Sequence, residues 1–127
     1  MSKSHMNAGE DIAFEISFFE DILRDKPNHP DVLAALGDAY TKIGRFEDGL
    51  KIDVQLVLLK PDDPIVHYNL ACSYSLLRKA DLCLDTLQKA VHLGYRDFSF
   101  MSRDPDLDFI RSDPRYKELL MKFSQKT

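Results

Sequence analysis

Residues 30–63, PDVLAALGDAYTKIGRFEDGLKIDVQLVLLKPDD, and residues 64–97, PIVHYNLACSYSLLRKADLCLDTLQKAVHLGYRD, align with each other without a gap. Leu36 falls on Leu70, Gly37 on Ala71, Tyr40 on Tyr74 and Ile43 on Leu77. Further along, Gly49 falls on Cys83, Leu56 on Ala90, Leu59 on Leu93 and Asp63 on Asp97. A fixed period of this length marks a repeat whose unit is one supersecondary structure.

Each unit reads as two helices. Leu33, Leu36, Tyr40 and Ile43 make one apolar stripe at helical spacing, and Gly44 stops it. Phe46, Leu50, Val54 and Val57 make the stripe of a second helix. Lys60-Pro61-Asp62-Asp63-Pro64 ends that helix, because a proline disfavours helical geometry in the residue before it. Asp63 then suits an N-cap, with Pro64 at the first helical position. The second unit repeats the plan with Leu70, Tyr74 and Leu77, then Leu84, Leu87 and Val91.

These residues resemble a known family. Leu33-x-x-Leu36-Gly37-x-x-Tyr40, with Gly44, Phe46, Gly49, Leu56 and Pro61, is similar to the tetratricopeptide repeat. His67-x-x-Leu70-Ala71-x-x-Tyr74, with Ala80, Cys83 and Ala90, resembles a second copy. The implied fold is all-α: a right-handed solenoid of antiparallel helix pairs. The expected organisation is a leader at 1–10 and a single domain at 11–127. That domain comprises a half repeat at 11–29, repeats at 30–63 and 64–97, and a cap at 98–124. Ile12, Ile16, Phe19, Leu23 and Pro27 supply the half repeat, matching the second helix of the unit alone.

Three positions depart from the family pattern. His67 takes a slot usually held by a large apolar residue, and Tyr95 replaces the closing proline. Asp53 falls where an aromatic usually packs, and if buried it needs a partner such as Tyr40 or His67. Beyond Asp97 the period ends. Asp104-Pro105 and Asp113-Pro114 each read as an N-cap followed by a first-turn proline. The last helix is expected from Pro114 to about Phe123, burying Tyr116, Leu119, Leu120 and Phe123. The run from Asp104 to Leu120 resembles a segment that often follows the last repeat in bacterial tetratricopeptide proteins. A repeat stack leaves its end apolar, so a cap with one polar side is required.

Composition removes several function classes. The 127 residues carry 17 Lys+Arg against 21 Asp+Glu, a net charge of −4. No basic surplus exists to neutralise phosphates, so nucleic acid and membrane are not expected partners. No stretch approaches the roughly 20 apolar residues that span a bilayer. The two cysteines, Cys72 and Cys83, lack a CxxC spacing, so neither a disulfide framework nor a zinc site is indicated. A reducing, cytoplasmic setting is the expectation.

Catalytic and metal chemistry find little support. Asp104, Asp106 and Asp108 open like a calcium loop, but Phe109 and Arg115 stand where that loop needs glycine and glutamate. His5, His29, His67 and His92 form neither HxxxH nor HExxH. Cys72 has no histidine within one turn of its helix face, and no glycine-rich phosphate loop exists. No catalytic residue, metal or cofactor is expected, and the chain is not read as an enzyme.

Recognition of another protein remains. In the resembled family the first helix of each pair lines a groove that takes a peptide or helical segment of a partner. Position by position, that implies Asp31, Ala34, Asp38, Thr41 and Lys42, then Ile65, Tyr68, Asn69, Cys72, Ser75 and Leu76. Among these, Ile65, Tyr68 and Leu76 are apolar side chains on a face that repeat stacking does not need. A clamp for the acidic C-termini of heat-shock chaperones is not implied, although Asn69 matches one of its residues. Ala34 and Asp38 stand where that clamp has lysine and asparagine, and Asp38 repels a carboxylate. Finally, Phe14, Phe18 and Ile22 form a second stripe on the N-terminal helix, expected to mediate a homodimer.

Overall fold

The computed structural model describes residues 8–124, and every regular element within them is helical. The described residues pack as two compact units, residues 8–59 and 60–124.

The first unit holds α1 (Ala8–Asp25), α2 (Pro30–Lys42) and α3 (Phe46–Leu59). Helix α1 starts at Ala8, so it takes in residues 8–10 of the expected leader; residues 1–7 lie outside the described residues. Helix α2 packs against both of its neighbours. Ile16, Leu36, Ala39 and Tyr40 form the buried centre, with Ile12, Phe19, Leu23 and Ile52 packed on it. Two glycines allow the close α2–α3 approach. A Cβ on Gly37 would sit 3.1 Å from Ile52 Cγ2, and one on Gly49 would sit 3.2 Å from Thr41 Oγ1.

Two assignments of the stripe positions are corrected. Val54 and Ile43 are exposed, while Gly49, Asp53 and Leu56 are the buried residues of α3. The buried face of α3 therefore runs through positions four and then three apart, one step off the line Phe46–Leu50–Val54–Val57. Ile43 is displaced because it is already the C-cap of α2, outside the helical period.

Helix α2 ends through Arg45 N–H to Tyr40 O (2.9 Å) and Gly44 N–H to Thr41 O (3.1 Å), with Gly44 at φ 82. Such paired bonds require a left-handed residue after the helix. The same two bonds recur 34 residues later, from Lys79 N–H to Tyr74 O (2.9 Å) and Arg78 N–H to Ser75 O (3.0 Å). There the left-handed residue is Arg78, at φ 60.

The second unit holds α4 (Pro64–Leu76), α5 (Ala80–His92), α6 (Phe98–Arg103), a 3-10 turn (Pro105–Leu107), α7 (Asp108–Arg111) and α8 (Pro114–Ser124). Asp63 Oδ1 caps α4, accepting from the backbone N–H of Ile65 (2.9 Å) and Val66 (3.4 Å). Ala71 and Cys83 are fully buried where α4 meets α5. Leu87, Val91, Met101, Leu107 and Ile110 fill the centre, closed by Tyr116, Leu119 and Phe123 of α8. In place of the proline slot, Gly94 adopts φ 119 and turns Tyr95 inward, where its ring stacks on Tyr68 at 4.3 Å.

His67 is buried, and its Nε2–H donates to Pro61 O at 2.8 Å. The hydroxyl of Tyr40 donates to Glu20 at 2.6 Å. The Tyr40 hydroxyl is thus committed to Glu20 within the first unit.

Candidate protein-interaction site

The contact residues implied by sequence divide between the two units, and the division changes what each can do. On α2, packing against α1 and α3 leaves Asp31, Ala34, Asp38 and Lys42 exposed, with Thr41 half-buried. Lys42 Nζ pairs with Asp38 Oδ2 at 3.0 Å, one turn apart. The Thr41 hydroxyl turns back to the carbonyl of Gly37 at 3.1 Å. The result is a narrow polar strip with a small residue, Ala34, at its middle.

On α4 only part of the set is open. Ile65 is 55% exposed, Asn69 is exposed and Leu76 half-buried. Tyr68, Cys72 and Ser75 are buried, which corrects the expectation that Tyr68 is a surface aromatic. The cause is the C-terminal segment, whose 3-10 turn and α7 pack directly on α4. The chain's own cap occupies the face that Tyr68, Cys72 and Ser75 present.

Asp104 is the hub of that contact and does not belong to the sequence-derived set. Its Oδ1 caps the 3-10 turn at Asp106 N (3.0 Å), as the Asp104-Pro105 pair implied. Its Oδ2 accepts from the Tyr68 hydroxyl at 2.7 Å, and the Cys72 thiol lies 3.7 Å away. Arg111 ties the same turn down by donating to the carbonyls of Asp104 (2.6 Å) and Met101 (3.1 Å). No local spacing rule foretells a bond between residues so far apart in sequence; the visible signal is only that a capping aspartate precedes a proline.

The chemistry of this hub is structural. Cys72, Asp104 and Asp106 lie close enough to share a metal ion. Both oxygens of Asp104, however, already accept from internal donors, and thiol with carboxylate is a mixed set of soft and hard ligands. Burial, then the charge of Asp104, pushes the Cys72 thiol well above its usual range. Burial alone pushes Cys83 up to about 12. Nucleophilic work needs the thiolate, so both sites favour packing over reactivity. Burial likewise raises the Tyr68 phenol, helped by Cys72 and by the bond to Asp104. The calcium-like triplet is divided among other tasks: Asp104 caps the turn, and Asp108 pairs with Arg111 at 3.0 Å.

The stripe on α1 has a different character. Phe14 is 69% and Phe18 is 55% exposed, while Ile22 is half-buried. The Phe18 ring leans on Phe19, with centroids 5.9 Å apart. Among the described residues, no helix is long and apolar enough to cross a membrane.

Helix pairs in this register, with small residues at the crossings and left-handed stops between helices, define a tetratricopeptide-like all-α fold. Solved structures of MamA, itself a tetratricopeptide-like helical protein, share it. One MamA crystal structure aligns at TM-score 0.62 and 25% identity, over 66% of this chain and 46% of that one. A double mutant of MamA aligns at TM-score 0.66 and 20% identity, over 91% of this chain and 67% of that one. Among curated proteins, a chloroplastic protein of Arabidopsis thaliana is 32% identical over 92 residues, which is 70% of this chain. The aligned part spans 28% of that relative's length. No family model matches the chain.

Proposed function

We propose that this chain is a protein-interaction module that holds an extended or helical segment of a partner protein against the open residues of its pair-leading helices. The observation that carries the reading is the strip on α2. That helix is gripped by α1 and α3, yet Asp31, Ala34 and Asp38 stay exposed. A rigid, preorganised strip with a small central residue lets a partner backbone come close, and it binds with little ordering cost. In the second unit, Ile65 and Asn69 are the accessible members of the set. Tyr68, Cys72 and Ser75 reach a ligand only if the C-terminal segment leaves α4.

The fold-level likeness to MamA and the partial likeness to the chloroplast protein suit an interaction role over catalysis. Such modules act through contact alone, which agrees with thiols held protonated by burial. The test is affinity capture from the native host with the full chain, read by mass spectrometry. Partners recovered by the parent chain should be lost with Ala34→Trp and Asp38→Lys, both folded by circular dichroism. Equal recovery by parent and variants removes α2 from the binding site.

A further inference from the structure

We infer that the outward face of α1 is a second docking surface, fitted to a cationic amphipathic helix of a partner protein.

Charge is distributed unevenly along this chain. Residues 8–59 carry eleven carboxylates and five cationic side chains, whereas residues 60–127 carry ten and eleven. Helix α1 is the extreme, with six carboxylates and one arginine in 18 residues. Its inner face is accounted for: Ile16 is buried, with Ile12, Phe19 and Leu23 packed beside it. On the opposite side, Phe14, Phe18 and Ile22 follow one another at four-residue spacing, so they line one ridge.

Helical geometry then places carboxylates along that same ridge. Asp21 and Asp25 lie three and seven positions after Phe18, and Glu15 lies three before it. All three are exposed. Asp21 is bonded to Arg24, the single cation of the helix. Among the described residues Asp25 makes no salt bridge, and Glu15 makes none at close range but adds its field to that of Asp38 on Lys42. Two largely exposed phenylalanines flanked by acids thus form an apolar ridge with a negative rim.

This combination selects its occupant. A two-fold pairing with a second copy buries the phenylalanines but sets each acidic rim against another. Like charges brought together at an interface are strongly unfavourable. An anionic lipid surface is repelled for the same reason. A helix with apolar residues at i and i+4, flanked by Lys or Arg, satisfies both parts of the ridge at once. The charge of Glu15 is felt by Lys42 of α2, so Phe14 and Phe18 rather than Glu15 distinguish this surface from the α2 strip.

The test uses the full chain and a fluorescein-labelled 18-residue helix of alternating leucine and lysine faces, followed by anisotropy. The parent chain should bind it, and raising salt from about 50 to about 500 mM should weaken binding several-fold. Phe14→Ser with Phe18→Ser should weaken it roughly tenfold or more while leaving helix content intact. Glu15→Lys with Asp25→Lys should do the same, and Ala34→Trp should not. A scrambled peptide of equal charge, and a leucine–glutamate counterpart, should fail to bind. The inference is overturned if the parent ignores the leucine–lysine helix, or if the phenylalanine variant binds it as tightly. It is also overturned if the parent sediments as a dimer that Phe14→Ser and Phe18→Ser dissolve, since a second copy is then the occupant.

Discussion

The hydroxyl of Tyr68 donates to Asp104 at 2.7 Å across a sequence separation of 36 residues, with both side chains buried. This bond joins the first helix of the second pair to the segment that closes it. A hydrogen bond to a charged group contributes about 1.5–3 kcal/mol, and removing one partner leaves the other desolvated. Tyr68→Phe should therefore lower stability by about 2 kcal/mol, read as a shift of the urea midpoint. Tyr68→Ala, which also removes the stack on Tyr95, should cost more. A midpoint unmoved by Tyr68→Phe shows that the bond holds nothing in place.

Buried thiols give the protein an alkaline limit. The Cys83 thiol is held at about 12 by burial, against 9.0 when unperturbed. Below pH 9 it is protonated folded and unfolded alike, so pH has no effect through it. Between 9 and about 12 the unfolded chain releases the proton and the folded chain keeps it. Stability is lost as pH rises through that window, at up to about 1.4 kcal/mol per pH unit for each such group. Burial moves Cys72 in the same direction. Urea midpoints should be level from pH 7 to 8 and fall from pH 9 upward, with Cys83→Ala falling less steeply. A parallel fall in that variant assigns the loss to other groups.

The turn after α4 stores strain that the turn after α2 avoids. Arg78 and Gly44 occupy the same slot one repeat apart, and both are left-handed. That conformation costs an L-residue about 1 kcal/mol, and glycine nothing. Arg78 returns part of this through its guanidinium, 5.2 Å from the Phe109 ring centre. Exposed contacts of that kind contribute about 0.5 kcal/mol. Arg78→Gly should thus raise the melting temperature slightly, whereas Arg78→Val should lower it clearly. A fall with glycine means that the ring contact outweighs the strain.

Ser75 has a hydroxyl that finds no hydrogen-bond partner among the described residues, and its side chain is fully buried. An unsatisfied buried polar group costs about 1–3 kcal/mol. Ser75→Ala should be neutral or stabilising by about 1 kcal/mol in urea unfolding. Destabilisation beyond about 1 kcal/mol points to a bond made through water.

Most of the fold was legible because its determinants are local and repeat. The helix stops at Gly44, the cap at Asp63 and the closing helix from Pro114 are chemistry within a few residues. The stripe Ile12, Ile16, Phe19 and Leu23 was legible for the same reason. Burial on α4 was not, because what covers Tyr68, Cys72 and Ser75 arrives from beyond the end of the period. Asp53 was legible as an oddity, yet α3 turns Val54 outward and Asp53 inward, while Phe46, Leu50 and Val57 stay half-buried. Both Val54 and Asp53 fit a helical stripe, and hydrophobicity favoured the wrong one. The contact residues of α2 were read from family resemblance; only their exposure is a property of this structure.

A Cβ at Gly37 would stand 3.1 Å from Ile52 Cγ2, so the first pair has little room for a larger residue there. One repeat later the corresponding residues are Ala71 and Thr86, a larger side chain facing the place of a smaller one. Gly37→Val should overpack the crossing and cost about 1–3 kcal/mol. Ile52→Ala alone removes apolar burial and should also destabilise. Combined, the valine refills space vacated by the isoleucine, so the double variant should be more stable than the two losses added. A coupling of about 1 kcal/mol in a double-mutant cycle by urea unfolding is the expected result. Strict additivity would sink the idea that Ile52 is what holds position 37 to glycine.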